Sequence, residues 1–270
     1  IQKTAQKYFS ADNARIVVTG KASQVGGSLE KLGYPVKMYD KYAKPVSAVN
    51  TDAAALPQAT TVIKDYIQAI GGIDELKKIN SISIDLEAGM QGITLSIASR
   101  QMAPNKDATT VSAMGNVFQK EVFDGNGGYQ MTQGNKKEWS ADELKEKKAK
   151  ASLFEQADYL NAGYTLSVKG IEKINGADAY KIEIITPLQK TITEYYDVKS
   201  KLLLKAESVL QENGMNISRT NELGDYRKTG NILFPYKNVL IMSAGGQEQV
   251  IDMTVKEIKL NEGVSEEDFK

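Results

Sequence analysis

The chain has 270 residues, enough for one or two domains at roughly 150 residues each. Its 34 Lys and Arg balance 34 Asp and Glu, which argues against a surface built to coat nucleic acid or an anionic membrane. With 0 His and 0 Cys, imidazole and thiolate zinc sites, Ser-His and Cys-His catalysis and disulfides are excluded, leaving carboxylates, Lys, Tyr, Ser and Thr for any chemistry.

In chain order, Ile1–Phe9 reads as the end of a helix, with Ile1, Ala5 and Tyr8 on one side. Asn13–Gly20 reads as a buried strand stopped by glycine, Ser23–Leu32 as a helix with Val25, Leu29 and Leu32 on one face, and Pro35–Asp40 as a second short strand. This αβαβ piece is too small to close its own core and resembles the tail of a larger upstream domain. The chain opens on Ile1 without a signal-peptide pattern, which reads as the start of a fragment. Residues 41–59, with Pro45 and Pro57 among small side chains, read as an extended linker.

From Thr60 the apolar residues Val62, Ile63, Tyr66, Ile67 and Ile70 make one helical stripe, stopped by Gly71-Gly72. Ile73, Leu76 and Ile79 predict a second short helix. From Ser81 the period becomes 2: Ile82, Ile84 and Leu86 alternate with polar residues, as do Ile93, Leu95 and Ile97, then Ile182 and Ile184, then Ile251, Met253 and Val255. After Val255 the apolar phase slips to Ile258 and Leu260, which predicts a β-bulge near Lys256-Glu257. Hairpin dipeptides punctuate the strands: Asp124-Gly125, Gly127-Gly128, Asn175-Gly176, Asn213-Gly214 and Gly245-Gly246. Hairpins without helical crossovers predict an antiparallel meander. One helix interrupts it, opened by the capping box Ser140–Glu143 and running through Leu144 and Phe154 to about Ala157. A large curved sheet must cover its inner face, and the three helices are the available filling.

Few groups point to chemistry. Asp124–Gly128 lacks the ligand order of a calcium loop and reads as a turn. Its glycines precede a strand, so no helix start follows to cradle a phosphate. Ser28 and Lys31 share an amphipathic helix face and read as a surface pair. Asp142-Glu143 and Glu266-Glu267 are adjacent, so each pair points to two faces and forms no acid/base couple by itself; a couple assembled across the sheet stays open, though nothing in the sequence marks one. Aromatic and Met side chains concentrate around the middle helix and through the strands. Core packing is the simpler account. The functional alternative is an apolar cavity between sheet and helices, lined by Met114, Phe118, Trp139, Phe154 and Met242, with Trp139 near its mouth.

Two resemblances rest on residues. Tyr8–Ser23 with Gly33–Tyr42 resembles the extreme C-terminal end of an insulinase/pitrilysin-family zinc peptidase. Catalysis in that family needs an inverted zinc motif with two His and a Glu; this chain has 0 His and inherits no catalytic or metal-binding residue. The remainder, through Thr193–Glu207, Gly224–Pro235 and Ile258–Phe269, resembles the domain appended to such peptidases in Bacteroidetes-type bacteria, shaped like the lipoprotein-carrier (LolA-like) family.

The resemblances imply an α+β chain. Residues 1–46 would be the αβαβ peptidase tail, 47–57 a linker, and 58–270 a large curved antiparallel sheet, an open LolA-like half-barrel, around about three helices. They imply a non-catalytic region of a periplasmic or envelope zinc peptidase, binding a lipid, lipoprotein acyl chain or apolar peptide or docking to the envelope. The alternative is a structural module bracing the peptidase halves. Zinc would belong only to the upstream half, and the partners would be the rest of the parent peptidase and the apolar ligand, with no nucleic acid and no membrane-spanning segment.

Overall fold

A computed structural model of the chain describes residues 16–20, 29, 32–33, 36–39, 45–46, 56–90, 92–150, 153–212 and 215–270. Two compact units divide it, Ile1–Ala48 and Val49–Lys270. In the first, β1 (Met38–Tyr39) pairs antiparallel with β2 (Pro45–Val46). Pro45, expected in an extended linker, therefore stands in a short ladder. Residues 16–20 carry no strand, and Ile16 is 82% exposed, against the buried strand expected there. A β-branched run has strand propensity, but a strand needs a bonded neighbour, and these residues have none among the described residues. Leu29 is helical and its carbonyl accepts from the Leu32 amide. Leu32, expected on that helix's apolar face, is instead an exposed turn residue, while Ser23–Ser28 and the helix over Ile1–Phe9 lie outside the described residues.

The second unit opens with α1 (Ala59–Ala69) and the one-turn α2 (Ile73–Leu76). The predicted stripe of α1 holds: Val62, Ile63, Tyr66, Ile67 and Ile70 are all buried. Gly71 then adopts φ +141° where the chain passes Asn231; a β-carbon there would lie 2.7 Å from the Asn231 carbonyl oxygen. Only glycine fits this approach, and it seats the Ile70 carbonyl to accept from the Leu233 amide.

Six strands follow as a meander: β3 (Ser81–Met90), β4 (Ile93–Met102), β5 (Lys106–Ala113), β6 (Asn116–Phe123), β7 (Gly128–Thr132) and β8 (Asn135–Glu138). Then come α3 (Ala141–Lys150) and the one-turn α4 (Glu155–Asp158). A second meander runs β9 (Thr165–Ile174), β10 (Ala177–Ile185), β11 (Thr191–Asp197), β12 (Leu203–Glu212), β13 (Met215–Thr229), β14 (Ile232–Ala244) and β15 (Gln247–Leu260). The last strand pairs with the first, β15 with β3, giving one antiparallel sheet of 13 strands with β8 and β9 at its edges. The bulge predicted near Lys256-Glu257 is present as a register shift between Val255 and Glu257.

The turns follow the predicted dipeptides where they are described. Asn175-Gly176 and Gly245-Gly246 take positive φ. The Asp124 carboxylate accepts from the Asn126 and Gly127 amides at 2.8 Å each, so this loop is a hairpin turn. The capping box forms as read: the Glu143 amide donates to Ser140 Oγ at 3.3 Å, and the Ser140 amide to Glu143 Oε2 at 2.8 Å.

The middle helix departs from expectation. It ends at Lys150, and a separate turn starts at Glu155. Phe154, at φ −135° and ψ 83°, is not helical. The break lets Phe154, Ala157 and Tyr159 turn into the core, which one straight helix carrying the polar face of α3 would not permit.

Ion pairs of α3 report how far the sheet curls. Glu146 reaches Lys190, just before β11, at 2.6 Å, and the adjacent Lys147 reaches Glu121 on β6 at 3.4 Å. β6 and β11 stand eight places apart in the sheet order. Flat, that separation would be roughly 38 Å. The sheet is therefore rolled until one helix bridges its two halves.

The main core lies at one end of this roll. Ile63, Tyr66 and Ile67 of α1, Leu76, and Tyr159 after α4 pack against Ile182, Ile184, Tyr196, Leu203 and Ile232. Each such fully buried side chain contributes about 1.5–3 kcal/mol. Ile63 is 0% exposed, so Ile63→Ala is expected to cost about 2–5 kcal/mol in urea unfolding. The outward Val209, 57% exposed on β12, is expected to change stability by less than about 0.5 kcal/mol when replaced by Ala.

Candidate functional site

Ladder partners share a face, so the register sorts every strand into an inner and an outer row. The inner row includes Leu86 on β3, Leu95 and Ile97 on β4, and Val111 on β5. It continues through Ile251 and Met253 on β15, Leu240 and Met242 on β14, and Arg219 and Asn221 on β13. Burial follows the same alternation: Ile251, Met253 and Val255 are half-buried between exposed Asp252, Thr254 and Lys256.

The concave face divides along these strands. At one end α1, α2 and α4 fill it with side chains. β13, β14 and β15 are 15, 13 and 14 residues long and run beyond that filling. Past it, Leu86, Leu95, Ile97, Val111, Met242, Ile251 and Met253 remain half-buried, forming an apolar strip. Asn238 borders the strip, and its Oδ1 is buried without a hydrogen-bond partner among the described residues.

Charge gathers where α3 crosses. Glu121 accepts from Gln119 Nε2 at 2.9 Å and pairs with Lys147, whose ammonium also lies 4.2 Å from the Trp139 ring centroid. Burial pushes the Asp107 carboxyl above its usual range, with Lys147 opposing and Glu121 adding to the rise. Across the roll, burial by its surroundings lowers the Arg219 guanidinium, while Glu121 opposes that shift. Arg219 is nonetheless exposed to solvent, a combination that fits a side chain standing in a concavity.

A second polar cluster sits inside the filled end. Glu194 on β11 is 3% exposed. It accepts from Tyr159 Oη and Gln156 Nε2 at 3.1 Å each, and from the Tyr196 hydroxyl. Burial pushes its carboxyl up to about 7; the nearby Glu155 adds, and the hydrogen bonds from Tyr196, Gln156 and Tyr159 oppose. Burial also holds Tyr159 and Tyr196 far above the ordinary phenol range, so both remain donors. The cluster ties the α4 segment to β11 and offers almost no surface to a substrate.

The five predicted cavity residues are not brought together. Met114 stands in the β5–β6 turn at φ +50° and is 88% exposed, so it lines no enclosed space. Phe118 is 43% exposed on β6. Trp139 follows β8, half-buried, its indole N–H donating to the Val122 carbonyl at 2.8 Å. Phe154 belongs to the filled core, 6.3 Å from the Phe234 ring. Met242 alone lies on the apolar strip, eight residues beyond Phe234, roughly 26 Å along β14. The sequence reading missed Arg219. Its signal is a cation at an inward position, in phase with Ile217 and Leu223. A separate pocket of about 410 Å³ lies between Leu56–Thr60 and Leu166–Val168 of the edge strand β9. Among the described residues no group of three or more acidic side chains is placed to hold a metal ion, and no helix is long and apolar enough to cross a membrane.

No protein-family model matches the chain, and no curated protein matches it in sequence. Solved structures do share its fold. A LolA-superfamily protein from Nitrosomonas europaea superposes with a TM-score of 0.50 at 11% identity, covering 80% of this chain and 98% of that one. A DUF1329-family protein from Desulfovibrio piger gives 0.50 at 10% identity, with the same coverage. The chain thus carries a LolA-like fold, as the second resemblance implies. The peptidase resemblance of the N-terminal residues has no counterpart in these similarities.

Glu194 gives stability a specific pH dependence. Its folded pKa, about 7, exceeds the ordinary value of 4.5, so the folded state holds a proton that the unfolded chain releases. Its stabilising contribution is full below pH 4.5, falls as pH rises through about 7, and is flat above that. Unfolding experiments across this window are expected to show a loss on the order of 3 kcal/mol that Glu194→Gln abolishes.

Proposed function

We propose that the Val49–Lys270 unit binds a hydrophobic ligand along the half-buried strip of its concave face. The carrying observation is that the long strands outrun their helical filling, leaving Leu86, Leu95, Ile97, Val111, Met242, Ile251 and Met253 half-buried on one inner surface. Apolar surface in a concavity is the usual wall of a ligand site. The ligand class in this reading is an acyl chain of a lipid or lipoprotein, or an apolar peptide. The LolA-like fold supports it at the level of architecture.

The role is non-catalytic. The chain has 0 His and 0 Cys, and the one deeply buried carboxylate among the described residues, Glu194, is enclosed in a tie between α4 and β11, so this reading assigns no catalytic residue. A periplasmic or envelope address, and a parent zinc peptidase whose end is residues 1–46, complete the proposal; both rest on the sequence resemblances. The rival reading is a module that braces its parent protein. The filled core against α1 favours it, because part of the concavity is occupied by the chain itself.

The neutral fluorophore N-phenyl-1-naphthylamine distinguishes the two. Saturable binding near micromolar strength is expected, and Ile97→Glu, placing a charge on the strip, is expected to weaken it by at least about tenfold. Absence of saturable binding to a normally melting chain supports the bracing role instead.

A further inference from the structure

Arginines show how this chain treats cations. Three are described. Arg100 pairs with Asp85 at 2.8 Å, and Arg227 donates from Nε and a terminal nitrogen to its neighbour Asp225. Arg219 makes no hydrogen bond and no ion pair among the described residues. Cations of the outer row are likewise paired, as in Lys169–Glu183, Lys181–Glu172 and Lys205–Glu207.

The position of Arg219 is also distinct. It stands in the inner row of β13, opposite Met242 on β14 and Ser208 on β12. Ile217 and Asn221 flank it on its own strand. The side chain therefore rises among apolar and small neutral neighbours on the strip described above. The acidic group it senses, Glu121, is already engaged by Lys147 at 3.4 Å and Gln119 at 2.9 Å. A guanidinium is a planar fork of donors that matches a carboxylate or phosphate.

We propose that Arg219 anchors the anionic head of an amphiphilic ligand whose acyl chain lies on the strip formed by Met242, Leu240, Leu95 and Ile97. This assignment rests on the hydrophobic-ligand reading and narrows it to an acyl chain bearing a carboxylate or a phosphate. A neutral amphiphile fills the same strip but leaves the guanidinium unpaired.

The test displaces N-phenyl-1-naphthylamine from the full chain with three twelve-carbon ligands: laurate, dodecyl phosphate and neutral monolaurin. At least one of the two anions is expected to bind at least about tenfold more tightly than monolaurin. Which anion does so separates a carboxylate from a phosphate ligand. Arg219→Met is expected to bring the preferred anion within about twofold of monolaurin while leaving monolaurin unchanged, and Arg219→Lys to retain part of the preference. If both anions match monolaurin in the wild type, or if Arg219→Met leaves the preference intact, the anchor is overturned and the hydrophobic reading stands. If none of the three displaces the bound probe, the anchor is overturned, and the hydrophobic reading stands or falls on the probe's own binding and its loss in Ile97→Glu. Should Arg219→Met melt abnormally, the wild-type comparison of the three ligands decides alone.

Discussion

One ladder makes the rest possible: β3 against β15, the first and last strands of the unit, from Ile82 opposite Leu260 to Gly89 opposite Asp252. Each meander alone is a sheet of six or seven strands with a free apolar face. Joined, they form a surface wide enough to roll around α1, α2 and α4. The join lies in the middle of the sheet, so the strip draws one wall from β3, β4 and β5 and the other from β13, β14 and β15. The bulge at Val255–Glu257 keeps this strip continuous. It returns Ile258 and Leu260 to the inner row after the extra residue has shifted the phase.

The concave face serves two purposes at its two ends. Where the helices sit, it is a core in the ordinary sense, with Glu194 as a polar pin inside it. Beyond them it remains a half-covered surface crossed by α3. That helix has Leu144 as its sole large apolar side chain and is fastened by Lys137–Glu143, Lys147–Glu121 and Lys190–Glu146. Of these, the solvent-exposed pair Lys137–Glu143 is weak, about 0–1 kcal/mol, and is screened by salt, whereas Lys147–Glu121 is part-buried. The strip is thus spanned by charged side chains, whereas the filled end is closed by buried apolar ones.

Much of the architecture was legible in the chain. Alternation located the strands, turn dipeptides located hairpins, the stripe of α1 located its buried face, and the phase slip after Val255 located the bulge. Each is a local signal carried by neighbouring residues. Other features depended on distant partners. Glu194 reads as one polar residue in the alternation of Thr191–Asp197, and its burial is decided by Tyr159 and Gln156, 35 and 38 residues earlier. The end of α3 was hidden because Phe154 keeps helical spacing in sequence while its backbone leaves the helix to reach the core. Met114 looked like a cavity residue by type, but Met114-Gly115 holds the positive-φ pair of a tight turn, and turn geometry overrode its hydrophobicity. Residue type found Met242 but not Arg219, because a charged side chain in an apolar row acquires meaning only once the sheet is rolled.

A sheet this wide still has two open borders, and β8 shows how one of them is kept from recruiting foreign strands. It is four residues long, Asn135–Glu138, and every one is exposed. Lys136 pairs with Glu138 and lies 4.0 Å from the centroid of Tyr129, while Lys137 is held by Glu143. Any strand adding there would have to bury two lysines beside a helix already claiming one of them. The longer border, β9, has Leu56–Thr60 beside Leu166–Val168. Long strands carrying rows of apolar side chains are the raw material of fibrils, and the short, lysine-bearing edge strand β8 keeps the hydrogen-bonding capacity of its border from foreign chains.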